Sequence, residues 1–429
     1  MSRQRVPSNY MKRPFKLIDD FSSGTWTVVT PSNTTIVKDT TKTLEGISSL
    51  KITVNAPAGT LCSVDRDINV SFVGASKQIM LKVWCEDPSL VEKMIVYFGN
   101  SATSWTKEFH FTLPTQVNIG SQFKKGWNFF SIIPSEGTYN GGFNWNETIL
   151  KLRLVVVPKT NAPASLIVDS LWYDGVGIPK ILITFDDGWK TVYDNAYPVM
   201  KERGIRGTIY AIPWYHKNQY EGHPLYPWFC KPEQLKEIYN DGWCIGNHTW
   251  NHDYYFKAGW NPIDYAGQIK MAKDWLTENG FGDGGDYLCF PNGEFDHAAI
   301  DAAKELVGIK TARPGKTRGA QPHDIDTFYE TNSRNFSYGV TLDQGKKWVD
   351  YALENGGTSF FMFHQIPIDD TSRIGMENPD ISWSAEKFRL LMDYIVERNA
   401  VEYCVTNDEW YRGMVHPRFT RKIINRQSI

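Results

Sequence analysis

The sequence predicts an all-β sandwich followed by an α/β barrel, and three observations support this fold class. Up to about residue 174, short runs of alternating apolar and polar residues are separated by turn residues, as in antiparallel sheets. Beyond residue 178, strand-like and helix-like runs alternate over roughly 240 residues, which is typical of a parallel sheet covered by helices. A chain of 429 residues is also longer than a single core usually grows. We therefore expect two domains, with the second closed into a barrel.

These patterns divide the chain into four segments. Glycine and proline residues at 175–179 punctuate the change from one pattern to the other. The predicted segments are an N-terminal arm (1–15), the sandwich (16–175), the barrel (178–412) and a basic tail (413–429). The cations of the tail are interpreted as part of a solvated terminus rather than as a binding patch.

The elements of each domain are placed from their periodicity. Alternating residues predict sandwich strands at 49–54, 94–98, 151–156 and 166–172. The barrel strands are predicted at 181–185, 208–212, 243–246, 287–290, 359–363 and 401–405. The intervening helices are predicted at 191–203, 232–240, 263–278, 296–306 and 385–398.

Composition argues against several classes of protein. The 46 Lys and Arg residues nearly balance the 48 Asp and Glu residues, which gives no support for nucleic-acid binding. The six cysteines include no Cys-x-x-Cys pair, so buried thiols are favoured over a disulfide scaffold or a structural zinc site. The longest apolar runs, 79–84 and 359–364, are far shorter than the roughly 20 residues of a membrane span.

The first fifteen residues are basic and polar, and they lack the apolar core of a signal peptide. Export by an ordinary cleaved signal is therefore not expected. An extracellular or virion-associated location, reached by lysis or by assembly into a particle, is the hypothesis that we carry forward. A cytoplasmic location stays open.

Polar side chains follow several strands of the predicted barrel. Asp186 and Asp187 come after the first strand, where two adjacent acids are costly to bury unless a cation, a shared proton or a reaction accounts for them. His248 and His252 come after the third, and their spacing predicts that both imidazoles lie on one side of a helical turn. His364 follows a late strand. The carboxyl ends of parallel barrel strands share one face, where active sites are built.

These residue types suit a catalytic metal. Asp187, His248 and His252 supply three protein ligands and leave coordination positions open. Zinc suits two imidazoles and a carboxylate, and Co²⁺, Mn²⁺, Ni²⁺ or Fe²⁺ would also fit. Asp186 is then placed to take a proton from a metal-bound water, and His364 is a candidate to protonate the leaving group.

Each motif also has a plainer explanation. Asp-Asp-Gly is more often a simple turn, and His-x-x-x-His is common by chance. A single histidine at the end of an apolar strand is more often a partly buried residue with its hydrogen bonds satisfied. The joint occurrence of all three at the same end of the strands favours a site.

In this order the motifs resemble those of the polysaccharide deacetylases of carbohydrate esterase family four. They are Thr-Phe-Asp-Asp-Gly at 184–188, His-Thr-x-x-His at 248–252, Pro-x-Gly at 291–293, and an apolar strand that ends in His364. The resemblance covers roughly residues 178–412. It implies a distorted parallel barrel, a divalent metal that is usually zinc, and removal of acetyl groups from amino sugars or acetylated polysaccharides.

The resemblance also implies roles for single residues. Asp186 would be the base, His364 the acid, and Asp187, His248 and His252 the metal ligands. The backbone N–H of Asn292, in the turn that begins at Pro291, would help to hold the oxyanion of the tetrahedral intermediate.

The chain departs from the family's pattern at its third motif. An arginine that holds the base often lies two residues before the proline, and Cys289 occupies that position here. Another cation would then support Asp186, and Arg313 and Arg334 are the candidates. The family's fourth motif, which contains a tryptophan, has no clear counterpart in this chain.

The front domain resembles the jelly-roll sandwiches often joined to sugar-active enzymes. The features that carry this resemblance are Gly-Trp-Asn at 126–128 and the closing run 168–172. It implies a carbohydrate-binding or docking domain. Trp84, Trp105 and Trp145 are candidates for stacking on sugars, although packing is the commoner role for each.

The sequence therefore predicts a metal-dependent enzyme that removes N- or O-acetyl groups from a polysaccharide. A phage or prophage tail enzyme that acts on a host surface glycan, attached to its particle through the front domain, is a narrower hypothesis. One alternative is a non-catalytic carbohydrate-binding or particle-surface protein with a relic barrel. A glycoside hydrolase is another, but adjacent Asp186 and Asp187 are poorly arranged for it.

Overall fold

A computed structural model of the chain divides into two compact units between Val176 and Gly177. It describes residues 11–13, 16–29, 33–73, 79–113, 123, 125–132, 134, 137–174, 176–256, 258–313, 333–368 and 381–415. No helix in these ranges combines the length and apolarity needed to cross a membrane.

The first unit is built from antiparallel strands. In chain order they are β1 (Met11–Arg13), β2 (Lys16–Asp19), β3 (Thr27–Val28), β4 (Thr34–Asp39), β5 (Ser49–Val54), β6 (Cys62–Val70), β7 (Ile79–Cys85), β8 (Val91–Gly99), β9 (Glu108–Leu113), β10 (Gly126–Ile132), β11 (Thr138–Asn140), β12 (Ile149–Pro158) and β13 (Ala164–Tyr173). A short strand, β14 (Val176–Gly177), lies at the division between the units. Each of the four predicted sandwich strands falls within one of these elements.

Strands β2 to β13 form two sheets. One has the order β10-β7-β13-β5-β4 with β2 paired to β13, and the other has the order β11-β9-β8-β12-β6-β3. Apolar residues on the inner faces of both sheets, such as Leu81, Val83, Val96 and Leu154, share one buried core. This packing confirms the predicted antiparallel jelly-roll sandwich. Trp145 is buried against Phe109 in that core, so it is not available to a sugar.

The second unit alternates strands with helices. Its strands are β15 (Lys180–Asp187), β16 (Thr208–Ala211), β17 (Cys244–Asn247), β18 (Tyr287–Cys289), β19 (Thr311–Arg313), β20 (Ser333–Asn335) and β21 (Thr358–Phe363). Its α-helices are α1 (Tyr197–Glu202), α2 (Pro213–Lys217), α3 (Pro232–Asn240), α4 (Pro262–Glu278), α5 (His297–Ala302), α6 (Leu342–Asn355), α7 (Ala385–Glu397) and α8 (Asn407–Val415). A π-helical turn precedes α1 (Val192–Ala196) and another follows α5 (Ala303–Val307).

All the pairings in this sheet are parallel, in the order β19-β18-β17-β16-β15-β21-β20. Followed along the chain, this order makes a barrel that is open between β19 and β20, since no backbone ladder joins these two strands in the described residues. Arg313 of β19 donates from Nη1 to Ser333 Oγ of β20 at 3.3 Å, so one side chain spans the opening. The predicted distorted barrel is confirmed.

Helices cover the outside of the barrel. Ile183 and Phe185 of β15 are buried, and they belong to the same cluster as Leu235 of α3 and Phe388 of α7. A strand covered on both faces has a continuous apolar run in its sequence, which is why the sequence predicts β15 and β21. The carboxyl ends of these strands then meet at one face, where polar side chains collect.

The structure differs from the predicted elements in two respects. The strand predicted at 401–405 is wrong, because Val401–Tyr403 forms a 3₁₀ turn and Cys404 makes only an isolated bridge with Ile181. In the second unit, strands β19 and β20 and helices α2, α6 and α8 were not predicted. Of the predicted arm and tail, residues 1–10, 14, 15 and 416–429 lie outside the described residues.

Candidate metal centre

Asp186 and Asp187 are the last two residues of β15 rather than the first residues after it. Asp187 has a φ of +70°, in the left-handed region that aspartate tolerates better than most residues. Gly188 has a φ of +74°, and a Cβ there would lie 2.5 Å from Cε1 of His216. Backbone conformation and space therefore both require glycine after the two acids.

The segment that carries the two histidines is a loop, so the predicted helical turn is wrong. Thr249 and His252 have φ values of +65° and +66°, which a right-handed helix excludes. The side chain of Asn247 accepts the N–H of Thr249 at 2.9 Å and holds the start of the loop. The loop nevertheless brings the imidazoles of His248 and His252 together, with ring centres 4.7 Å apart.

Three side chains converge at the end of β15. Nε2 of His248 lies 3.3 Å from Asp187 Oδ1, and Nε2 of His252 lies 3.2 Å from the same oxygen. The carbonyl of Cys289 accepts from His248 Nδ1 at 2.7 Å, so the proton of the neutral imidazole is on Nδ1 and Nε2 carries the lone pair. The ligand atoms of Asp187, His248 and His252 all lie within 4.8 Å of one another.

The environment of Asp187 fits a cation. The indole of Trp189 donates to Asp187 Oδ2 at 2.8 Å. Within the described part of the chain, no hydrogen-bond donor satisfies the other oxygen, Oδ1, although it is buried. An unsatisfied carboxylate oxygen beside the Nε2 lone pair of His248 and the imidazole of His252 is costly unless a metal binds there. The donor set therefore fits a divalent metal such as zinc.

Asp186 is held by a different cation. It forms a buried ion pair with Arg313, whose Nη2 also donates to Cys289 Sγ at 3.1 Å. Sγ of Cys289 lies 3.6 Å from Asp186 Oδ2. Of the two arginines predicted to support Asp186, the structure brings Arg313 to it. It places the guanidinium of Arg334 over the ring of Trp348, 5.4 Å from the ring centre.

Electrostatics favour the ionised form of both acids. Burial alone would raise the pKa of Asp186, but Arg313 and then His364 lower that pKa below its usual value. Burial would also raise the pKa of Asp187, and His252 and His248 lower it in turn. The two adjacent carboxylates therefore face different groups, since Asp186 is paired with the guanidinium of Arg313 and Asp187 faces the two imidazoles where a metal would bind.

Residues 174–311 match the sequence profile of the family described as Polysaccharide deacetylase. Residues 174–311 are therefore similar in sequence to a polysaccharide deacetylase domain. This match, together with the ordered motifs, confirms the resemblance seen in the sequence.

Two curated relatives illustrate the match. YxkH of Bacillus subtilis, whose name describes a polysaccharide deacetylase, is 31% identical over 138 residues, or 32% of this chain and 45% of the relative. The poly-beta-1,6-N-acetyl-D-glucosamine N-deacetylase of Staphylococcus aureus is 27% identical over 168 residues, or 37% and 56%. The chain thus spans about half the length of each of these relatives.

Among solved structures, the chain is similar to a family 11 carbohydrate-binding module from Clostridium thermocellum. The identity is 8%, the TM-score is 0.30, and the similarity covers 37% of this chain and 94% of the module.

His364 follows β21 in the second unit. Its Nε2 lies 3.8 Å from Asp186 Oδ2 and its side chain is 15% exposed. His364 is therefore on the Asp186 side of the centre, whereas His248 and His252 are on the Asp187 side.

Pro291 and Asn292 lie in a 3₁₀ turn directly after β18. Asn292 has a φ of +53°, and its side chain donates to Glu294 Oε1 at 3.3 Å. The turn is thus at the same end of the sheet as the metal ligands. The role predicted for the Asn292 N–H in holding an oxyanion stays a prediction.

Two residues of the centre, Trp189 and His216, carry no signal in the sequence that would single them out. Trp189 is two residues after Asp187, and only the fold shows that its indole reaches back to the carboxylate. His216 is buried under Gly188, with Nδ1 donating to the carbonyl of Cys230 at 2.7 Å. Burial lowers the pKa of His216 to about 4, so this imidazole is neutral.

Proposed function

We propose that the protein is a metal-dependent hydrolase that removes acetyl groups from a polysaccharide, most directly N-acetyl groups of an amino-sugar polymer. The observation that carries this proposal is the convergence of Asp187, His248 and His252 around a buried carboxylate oxygen, with ionised Asp186 beside them. The family match at residues 174–311 supports the reaction class. The name of the S. aureus relative supports an N-acetylhexosamine polymer as substrate.

Asp187, His248 and His252 would hold the metal, and zinc suits this donor set best. Such a metal supplies an electrophile for the acetyl carbonyl oxygen and lowers the pKa of a bound water. Two contacts hold these ligands in place. The carbonyl of Cys289 fixes the tautomer of His248, and the indole of Trp189 holds the carboxylate of Asp187.

Asp186 accepts the proton of the attacking water in this proposal. Its ion pair with Arg313 keeps the carboxylate ionised and fixes its orientation. His364, across from Asp186, donates a proton to the leaving nitrogen or oxygen. The N–H of Asn292 would bind the developing oxyanion.

Acetate release tests the proposal. The full chain would be incubated with Zn²⁺, Co²⁺ or Mn²⁺ and with poly-N-acetylglucosamine, chitin oligomers, peptidoglycan, acetylxylan or bacterial capsules. We expect acetate from at least one substrate, and none from the Asp186→Asn variant, which should still bind metal. Absence of acetate from every substrate and metal combination would overturn the proposal.

Metal analysis and the length of the polymer after incubation separate the alternatives. A relic barrel would not retain stoichiometric metal at Asp187, His248 and His252, so metal analysis of the purified protein decides that case. A glycoside hydrolase would shorten the polymer without releasing acetate.

The sandwich offers a surface that suits a neutral glycan. Four residues are successive cross-strand neighbours on the outer face of the β11-β9-β8-β12-β6-β3 sheet, in the order Asp65, Arg153, Tyr97 and His110. Asp65 pairs with both Nε and Nη2 of Arg153, and Trp105 lies over that guanidinium at 4.4 Å. The C–H faces of a sugar pack on aromatic rings, and its hydroxyl groups form hydrogen bonds with fixed polar pairs. We therefore expect Tyr97→Ala and Trp105→Ala to weaken binding to the insoluble polymer.

A location on a phage or prophage tail is a narrower part of the proposal. Its support is the sandwich that precedes the deacetylase domain in the chain. Immunodetection of the protein on purified particles would test it, and particles without the protein would argue for another location.

A further inference from the structure

The exposure of its side chains shows where the metal centre meets solvent. The side chain of His252 is 19% exposed and that of His364 is 15% exposed. By contrast, the side chains of His248 and Asp186 are 2% and 4% exposed. A substrate must therefore approach past His252 and His364, and the groups that flank His252 line this approach.

Two tyrosines flank His252. The ring of Tyr254 is 5.4 Å from the imidazole, and the ring of Tyr215, carried by α2, is 6.4 Å from it. Both side chains are half-buried. Burial, and then the charge of Asp187, raises the pKa of Tyr215 to about 12. The phenol of Tyr215 therefore keeps its proton and stays a neutral hydrogen-bonding group.

Two tryptophans neighbour these residues in the chain, Trp214 directly before Tyr215 and Trp250 two residues before His252. The side chain of Trp214 is 44% exposed, and its backbone N–H donates to the backbone carbonyl of Trp250 at 3.0 Å, which ties α2 to the loop that carries His248 and His252. Lys217 lies one turn after Trp214 on the same side of α2, with its Nζ 5.2 Å from the centre of the Trp250 ring. We call Trp214, Tyr215, Trp250 and Tyr254 the aromatic rim.

We infer that the aromatic rim is a sugar subsite, which binds the uncharged N-acetylhexosamine unit next to the unit being deacetylated. A pyranose ring has an apolar C–H face and a polar edge, and flat rings with a neutral phenol match both. The rim is continuous with the metal centre through His252, so one polymer reaches both sites. The inference rests on the proposed function and names the second unit of its substrate.

Lys217 adds a preference to this subsite. Its ammonium group lies against Trp250 and so within a Debye length of any sugar on the rim. A deacetylated neighbour would carry an ammonium group of its own, and the two like charges repel. The subsite therefore selects a neighbour that is still acetylated, which disfavours removal of acetyl groups from adjacent units.

Binding tests the rim separately from turnover. The Asp186→Asn protein, loaded with zinc, would be titrated calorimetrically with a tetramer of β-1,6-linked N-acetylglucosamine. Adding Trp214→Ala or Tyr215→Ala should weaken binding about five- to tenfold each. Leu306→Ala is the matched control, because it removes a 56% exposed apolar side chain beyond α5, toward the opposite end of the barrel, and should leave affinity unchanged.

Two outcomes would overturn the inference. One is unchanged affinity in both rim variants, and the other is an equal loss in Leu306→Ala, which would show a general effect on the fold.

The preference set by Lys217 has its own comparison. A tetramer with one glucosamine unit should bind more weakly than the fully acetylated one, and Lys217→Gln should remove most of that difference; equal discrimination in both proteins would contradict it.

A small ester separates the rim from the metal centre. With 4-nitrophenyl acetate, which does not reach the rim, Leu306→Ala should keep kcat/KM within twofold of the value for the unaltered chain. With the tetramer, Trp214→Ala and Tyr215→Ala in the otherwise unaltered chain should raise KM with little change in kcat. If the unaltered chain hydrolyses neither compound, the proposed function fails, while the calorimetric comparison still decides the rim.

Discussion

Arg313 occupies the place of a cation that the family keeps on the neighbouring strand. Cys289 of β18 and Arg313 of β19 are directly paired in register. A small thiol at 289 leaves room for the guanidinium, which contacts both the thiol and Asp186. Arg313 therefore supplies from β19 the cation for Asp186 that the family resemblance implied at position 289 of β18.

Because positions 289 and 313 are paired in register, we predict that an arginine at position 289 can replace Arg313 as the partner of Asp186. Arg313→Met should lower kcat about a hundredfold, because the buried carboxylate of Asp186 loses its partner. The acidic limb of the pH profile should also move to higher pH, since Arg313 lowers the pKa of the base. The double variant Cys289→Arg/Arg313→Cys should recover part of the loss, measured by steady-state kinetics.

Arg334→Met is the control for this series, because Arg334 lies over Trp348 rather than against Asp186. Near-parental activity in Arg313→Met, or the same loss in Arg334→Met, would argue against a role for Arg313 in holding the base.

Trp189 should matter for metal affinity. Trp189→Phe removes the indole N–H that holds Asp187 Oδ2, and we expect zinc affinity to fall at least tenfold. Competition with a chelator measures the change. Trp383→Phe is the matched control, since it deletes a buried indole hydrogen bond to the carbonyl of Val340, away from the metal ligands. Equal zinc affinity in the two variants would contradict the prediction.

At the scale of elements, long apolar strands were predictable and the loops between them were not. The patterns of β15 and β21 follow directly from burial on both faces, whereas β19 and β20 are three residues long and carry arginines. Spacing alone placed His248 and His252 on a helical turn. It could not reveal the left-handed residues Thr249 and His252, because a positive φ in a non-glycine residue has no periodicity.

The turn after β15 gives a prediction about Gly188. Gly188→Ala should destabilise the protein by more than the roughly 1–2 kcal/mol cost of a left-handed alanine, because its Cβ would also overlap His216. Zinc affinity should fall as well, since the clash would displace Asp187. Thermal unfolding and chelator competition measure the two effects.

Gly204→Ala separates the two causes. Gly204 has a φ of +66°, but no described atom lies within 4 Å of the position that an alanine Cβ would take there, so only the backbone cost should appear. Adding His216→Ala to Gly188→Ala should restore part of the zinc affinity. Equal destabilisation by the two alanine substitutions would show that space at Gly188 is not limiting.

At the scale of the whole molecule, each unit has a hydrophobic core of its own. Val96 and Leu154 belong to the cluster of the sandwich, and Phe185 and Phe388 belong to that of the barrel. The change of periodicity near residue 175 predicted two domains because alternating and helical patterns bury their apolar residues in different ways. The sequence also indicated that Asp187, His248 and His252 would meet, because they follow strands that end at one face, but it left Arg313 and Arg334 as alternative partners of Asp186.

Separate cores predict that the units fold independently. A fragment that begins at Gly177 should bind zinc with the affinity of the full chain and hydrolyse the small ester at a similar rate. A fragment of residues 11–176 should unfold cooperatively. Circular dichroism and calorimetry would check both, and loss of cooperative unfolding in either fragment would show that its core is insufficient alone.

The opening between β19 and β20 has a consequence for how this domain tolerates change. Arg313 both spans that opening through Ser333 and pairs with Asp186, so one side chain serves closure of the barrel and chemistry. In a saturation mutagenesis experiment, position 313 should therefore be depleted in a selection for folded protein as well as in one for activity. Positions 248 and 252, whose side chains are the proposed metal ligands, should be depleted mainly in the second.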